Sequence, residues 1–115
     1  MAKYGNRKVT VDGIRFDSKK EAARWRELVL MRRVGLISDL ERQVKYELIP
    51  AQRINGKCVE RAVNYIADFQ YRDRSGRLIV EDVKGCRDPQ NAGYARFVIK
   101  RKLMLYMHGI RIREI

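Results

Sequence analysis

This chain of 115 residues contains one histidine, two cysteines and two prolines. With His108 alone and no Cys-x-x-Cys pair, a zinc centre is not expected, nor is a nuclease chemistry that needs several histidines. Cys58 and Cys86 are too few for a disulfide framework, so the chain reads as intracellular. Long apolar runs are missing as well. No stretch approaches the ~18 residues of a membrane-spanning helix, and no lipidation motif is visible. The opening MAKYGNRK runs straight into polar sequence, so no signal peptide is expected. Acids are in deficit, 14 against 26 lysines and arginines, for a formal charge of +12. A domain this basic is expected to meet a polyanion, with nucleic acid the first choice ahead of a membrane surface. Repeats, linkers and low-complexity tracts are also lacking. Apolar residues make up 45%, enough for the core of one ordinary domain spanning 1–115.

The stretch that carries chemistry is NYIADFQYRDRSGRLIVEDVKG, residues 64–85. Two runs rich in β-branched and aromatic residues, 63–71 and 77–83, flank Arg74-Ser75-Gly76. Gly76 falls where a three-residue hairpin loop needs a left-handed residue. Asp73 then faces Arg77, Asp68 faces Asp82 and Ile66 faces Lys84. Period-two alternation puts Asp82 and Lys84 on one face and Glu81 on the other. A register one residue away exchanges Glu81 for Asp82. The expected register gathers Asp68, Asp82 and Lys84 in one patch.

Carboxylates set in apolar strands are costly unless paired, and a hard divalent cation such as Mg²⁺ offsets that cost. Such an ion polarises a phosphate and lowers the pKa of a bound water, while the lysine orients that water or stabilises developing charge. The same D…DxK spacing also fits a plain strand-end salt bridge between Asp82 and Lys84, with Asp68 an edge residue.

The rest of the chain reads as follows. VTVDGIRF (9–16) is a hairpin about Asp12-Gly13. Ser18 and Glu21 form a capping box that opens a helix running to about Val34, with Ala22, Trp25, Leu28 and Val29 at helical spacing and Gly35 as its stop. Glu21 is thus a cap, a third acid beside the strand site, or both. A short connection from Leu36 leads into a strand in which Val44, Tyr46 and Leu48 alternate with polar residues until Pro50. Asn55-Gly56 marks another hairpin turn, and the strand through Val59 runs into the central hairpin. After the polar loop 86–91, a helix is expected from about Ala92 to Met107. Phe97, Val98, Met104, Leu105, His108 and the stem of Arg101 form its apolar side, and Gly109 ends it. His108 reads as a helix-end residue rather than a base. Residues 110–114 alternate as a last strand.

This order of hairpin, helix, three strands, helix and strand resembles the PD-(D/E)xK nuclease superfamily, with its α-β-β-β-α-β core, and within it the small phage and prophage endonucleases grouped with Holliday-junction resolvases. The resemblance rests on FDSKKEA (16–22), GLISDLERQVKYEL (35–48), NYIADFQY (64–71), IVEDVKG (79–85) and KRKLMLYMHGIRIRE (100–114) taken in that order. It implies an α+β, restriction-endonuclease-like fold preceded by a β-hairpin.

The resemblance also implies roles. Asp68 and Asp82 are direct metal ligands, Val83 offers its backbone carbonyl, and Glu21 supports the metal from the helix, directly or through water. Lys84 is the catalytic amine. Asp82 stands where glutamate is commoner, and Glu81 beside it leaves the ligand between the two open. Gln43 matches a supporting glutamine of related nucleases. The implied activity is Mg²⁺-dependent hydrolysis of DNA phosphodiesters, with Mn²⁺ as a substitute ion and four-way junctions or other branched DNA as substrate. Paired nicks across a junction imply a C2 homodimer, and the family's setting implies the cytoplasm of a bacterial host. Lys19, Lys20, Arg24, Arg87, Lys100, Arg101 and Lys102 are the expected phosphate contacts, although each also fits an ordinary solvated face. Another nuclease specificity, nicking or mismatch-directed, or a non-catalytic nucleic-acid-binding protein of the same fold, remains open at this point.

Overall fold

The computed structural model describes residues 8–115. The polar start on which the expectation of no leader rests lies almost entirely outside them. Ten elements follow in order: β1 (Val9–Val11), β2 (Ile14–Phe16), α1 (Lys19–Arg33), β3 (Ile37–Ile49), β4 (Gln52–Ile54), β5 (Lys57–Glu60), β6 (Val63–Asp73), β7 (Leu78–Asp82), α2 (Ala92–His108) and β8 (Arg113–Glu114). The fold is α+β, with two helices and a mixed sheet. It is broadly compatible with a restriction-endonuclease-like core.

The element order departs from the expected α-β-β-β-α-β. β4 and β5 intervene between β3 and β6 and form a two-stranded sheet of their own, while the main sheet is ordered β3-β6-β7-β8. The strand through Val59 therefore pairs back on β4 and ends at Glu60, instead of running into the central hairpin. β6 and β7 are neighbours joined by only four residues, too few for a crossover, and so run antiparallel. β7 and β8 are parallel.

The chain divides into two compact units. The first holds the described residues to Leu40 together with Tyr71–Leu78. In it Val9 pairs with Phe16 and Val11 with Ile14 across a turn whose two central residues, Asp12 and Gly13, both have left-handed φ. That is the two-residue turn whose twist matches its strands. Helix α1 starts where Ser18, extended and outside the helix, accepts the Glu21 amide at 3.1 Å through its hydroxyl. It packs on the β1–β2 hairpin, burying Ala22, Trp25 and Leu28, with the Trp25 ring 6.2 Å from that of Phe16. The helix ends at Val34, and Gly35 follows at φ +82°.

The second unit, Glu41–Gln70 with Ile79–Ile115, holds the central chemistry. Tyr65, Ala67 and Phe69 are buried along β6 and Ile66 between them is exposed, the alternation of a strand with one covered face. β7 is buried from Ile79 to Asp82. Helix α2 is capped by Asn91, whose side chain accepts the Tyr94 amide at 3.0 Å, and closes on Gly109 in the left-handed conformation. Phe97 and Met104 are its buried residues, whereas Leu105 and His108, expected on the apolar side, are exposed. Leu105 lies 100° round the helix from Met104, beyond a stripe this narrow. His108 instead sits at the helix end with Nε2 2.7 Å from the Glu47 carbonyl oxygen.

Two further boundaries moved. β3 begins at Ile37 rather than near Val44, and carries left-handed residues at Asp39 and Gln43. In the sequence only the part from Val44 shows the polar–apolar alternation by which a strand is recognised. β8 is limited to Arg113–Glu114, shorter than the alternating stretch 110–114.

Candidate functional site

The site is built where β7 ends. β8 runs alongside it with Glu81 opposite Arg113 and Asp82 opposite Glu114. Past the last strand residue, the Ile115 amide donates to the Asp82 carbonyl at 2.9 Å and the Lys84 amide donates to the Ile115 carbonyl at 3.1 Å. Successive amides of an extended chain point to opposite sides, so the Val83 amide is left facing away from Ile115. The carboxylate Oδ2 of Asp68, from β6, accepts it at 2.8 Å. The segment Asp82-Val83-Lys84 is therefore fixed by hydrogen bonds at each residue. At its loop end the hairpin closes as expected, because the Asp73 amide donates to the Arg77 carbonyl at 3.0 Å and Gly76 stands at φ +83°.

Asp82 is 6% exposed. Its Oδ2 accepts the Tyr65 hydroxyl at 2.6 Å, and its Oδ1 lies 2.9 Å from Lys84 Nζ. The same ammonium sits 3.6 Å above the centre of the Phe97 ring. Phe97 comes from α2 and touches the Tyr65 and Tyr94 rings, with centroids 6.3 and 5.8 Å away. A buried carboxylate persists only where neighbours replace its water, and here a hydroxyl and an ammonium do so through short charge-assisted bonds. Burial, followed by the Asp82 charge and hydrogen bond and the Asp68 charge, pushes the Tyr65 hydroxyl well above its ordinary pKa, so it remains a donor.

These groups open on a cleft of about 350 Å³ whose walls include Tyr65, Asp82, Lys84, Arg96, Phe97 and Lys100. Three cations thus share a cleft with a single carboxylate, a composition suited to phosphate. Asp68 is not in the cleft wall; its tie to the site runs through the Val83 amide. Of the two adjacent acids, Asp82 lines the cleft, while Glu81 is fully buried at 0% exposure.

Asp68 and Asp82 offer carboxylate oxygens, and each Asp82 oxygen keeps a lone pair beyond the hydrogen bond it accepts. Among the described residues, no group of three or more acidic, histidine or cysteine side chains is arranged to hold a metal. A divalent ion here would rest on these two carboxylates, with main-chain or phosphate oxygens completing its shell, as Mg²⁺ accepts.

A family model described as "Protein of unknown function (DUF1064)" matches residues 1–111. The chain belongs to the DUF1064 family. That description names no activity. No curated protein and no solved structure matches the chain. At the level of the fold, this DUF1064 chain is compatible with a nuclease-like, nucleic-acid-binding protein.

The remaining expected residues of this DUF1064 chain fall in different settings. Glu21 lies in the first unit, on the first turn of α1, and is buried at 6% exposure. Lys19 and Lys20 precede it and are exposed, and Arg24 lies 3.4 Å from Glu27. In the second unit, Lys100 lines the cleft, while Arg87 and Lys102 are exposed. Arg101 instead holds Glu114 at 3.0 Å, and Tyr94 donates to the same carboxylate at 2.8 Å. Arg101 is thus engaged within the fold rather than presented to a phosphate. Gln43 is exposed.

Tyr65, Phe97 and Arg96 escape a reading of the sequence. Tyr65 and Phe97 look like ordinary core aromatics in a strand and a helix. Arg96 is one base among many, and only its place one residue before Phe97 connects it with the lysine that Phe97 supports.

Proposed function

We propose that this chain is a metal-dependent DNA endonuclease that hydrolyses phosphodiesters in branched DNA, with the four-way Holliday junction as its substrate. The observation that carries the reading is the Asp82-Val83-Lys84 segment, pinned along its backbone and placing a carboxylate and an ammonium together in a cationic cleft.

Asp68 and Asp82 would hold Mg²⁺ or Mn²⁺ with the Val83 carbonyl. The ion supplies polarisation of the phosphate and a water of lowered pKa. The protein's own groups do the rest. Lys84 stabilises the charge that develops on the phosphate, acting in a site whose walls exclude part of the solvent. Arg96 and Lys100 bind the flanking phosphates and hold the strand in place. Tyr65 orients Asp82 by donating to it. Paired incisions require two such sites, and hence a C2 homodimer.

The test uses labelled four-way junctions and linear duplex, each with Mg²⁺ and with EDTA. The expected result is symmetric nicking of the junction that requires the metal. Asp68→Asn and Lys84→Ala should abolish cutting and retain junction binding. Equal cutting of linear duplex would replace the junction by a broader substrate. A second reading, a non-catalytic nucleic-acid-binding protein, draws on the direct Lys84–Asp82 ion pair and on the two-carboxylate donor set. Junction binding with no cleavage under any divalent ion would select it.

A further inference from the structure

We infer that the β4–β5 hairpin is a nucleic-acid-contacting arm whose tip engages unstacked bases. It deepens, and rests on, the reading of the chain as a DNA-binding protein. Every residue from Pro50 to Arg61 is exposed, and the two strands pair only with each other in the sheet. A lone two-stranded ribbon in water is marginal in stability. This one is stiffened at its tip. Asn55 and Gly56 both take left-handed φ, 51° and 79°, which gives the turn that follows the natural twist of the strands. Arg53 Nη1 then donates to the Gly56 carbonyl at 3.2 Å.

The register sets out what the ribbon presents. Ile54 pairs with Lys57 and Arg53 with Cys58. Alternation places Ile54 and Lys57 on one face and Arg53 and Cys58 on the other, and the register shifts beyond Arg53, where Val59 is left without a partner residue in the ladder. Ile54 is 63% exposed and Val59 is 50% exposed. Arg53, Lys57 and Arg61 stand against the single acid Glu60.

Two apolar side chains are far too small a patch for a stable protein interface, which needs roughly 800 Å² on each partner. The charge favours a polyanion, as does the +12 of the whole chain. A two-stranded ribbon is also the size of element that a DNA major groove admits. An exposed isoleucine beside the turn has the form of the apolar wedges that enter base steps. In intact duplex a wedge must first unstack the bases, at a considerable cost. At a junction, flap or mismatch the bases are already partly unstacked. The arm is therefore expected to add affinity for branched DNA selectively through Ile54, and for any DNA through its cations.

The full-length protein is titrated in EDTA, so that no strand is cut, against a fluorescent four-way junction and a linear duplex of equal length. Ile54→Ala should weaken junction binding by about tenfold, the effect of re-exposing one buried aliphatic side chain, and leave duplex binding unchanged. The double variant K57A and R61A should weaken both, lowering the salt slope by about 2, since each lost phosphate contact removes about 0.9. Because all these side chains are exposed, the variants should melt like the parent protein. Junction and duplex affinities unchanged in both variants would overturn the arm while leaving the nuclease reading intact. A change in self-association with DNA affinity unaltered would overturn it in favour of a protein contact. Hairpin-dependent binding by a protein that never cuts would support the arm and refute only the nuclease.

Discussion

Tyr65 shows how a residue with no catalytic appearance comes to govern one that has it. Its hydroxyl donates to Asp82 at 2.6 Å from a position 3% exposed. Tyr65→Phe leaves the ring packing but removes the donor, and the buried carboxylate keeps only Lys84 as the partner described above. Stability should fall by about 1–3 kcal/mol, the usual cost of leaving a buried polar group short of a bond, as read from urea melts. The pH dependence has a definite sign. The Tyr65 pKa is raised in the folded state, so its contribution is complete below the ordinary phenol value of about 10 and declines only as pH rises above it. Parent and variant should therefore differ by a constant amount between about pH 6 and 9, measured as the gap between their melts. A gap that closes within that range would show that the hydroxyl is not the origin of the effect. The acids and the lysine of this site were legible in the sequence because charges inside apolar strands demand an explanation. Tyr65 and Phe97 were not, since an aromatic in a strand or on a helix is explained already by the core.

At the scale of elements, the connection that matters is between α2 and β8. Tyr94 and Arg101 project from α2 onto Glu114, and β8 in turn pins Asp82 and Lys84 through Ile115. Burial would raise the Glu114 pKa, but hydrogen bonds from Tyr94 and Arg101 outweigh it and hold the carboxyl below its usual value. A depressed pKa contributes stability above the unfolded value, and that contribution is lost as pH falls through the folded one. Glu114→Gln should therefore flatten the acid limb of the stability curve below about pH 4.5, with thermal melts across pH 3–7 as the measurement. If cleavage is present, the variant should lower it as well, by loosening the backbone on which Asp82 sits.

Asn91 allows a simpler check at this scale. Removing its cap with Asn91→Ala should cost about 1 kcal/mol in urea melts. Turns and helix ends were the most readable elements, because Asp12-Gly13, Asn55-Gly56, Gly76 and Gly109 all serve the left-handed positions their residues suit. The start of β3 was hidden because the polar run Glu41-Arg42-Gln43 interrupts the alternation of polar and apolar residues before Val44. β8 was overextended for the opposite reason: 110–114 alternates, but only two of its residues find a partner strand.

At the scale of the whole molecule, charge decides more than any single contact. Composition raised the expectation of a nucleic-acid partner at once, whereas topology stayed partly concealed. The exposed β4–β5 ribbon resembles any other strand pair until it is seen to stand in a sheet of its own. A formal charge of +12 is more than internal pairing requires, since acids number 14 and some of them, Glu114 and Asp82 among them, already neutralise bases within the fold. If about six of the surplus cations meet phosphates, the affinity for DNA should fall on the order of a thousandfold between about 50 and 200 mM salt. That slope is insensitive to the identity of the chemistry and reports only the number of phosphates neutralised. It also bears on the proposed assembly. A C2 dimer spanning a junction presents two copies of the basic cleft, so its slope on a four-way junction should be about twice that on a duplex short enough for one subunit. Sedimentation of the protein with each DNA supplies the stoichiometry against which the two slopes are compared. Equal slopes with one subunit bound to either DNA would remove the dimer from the account and leave each cleft working alone.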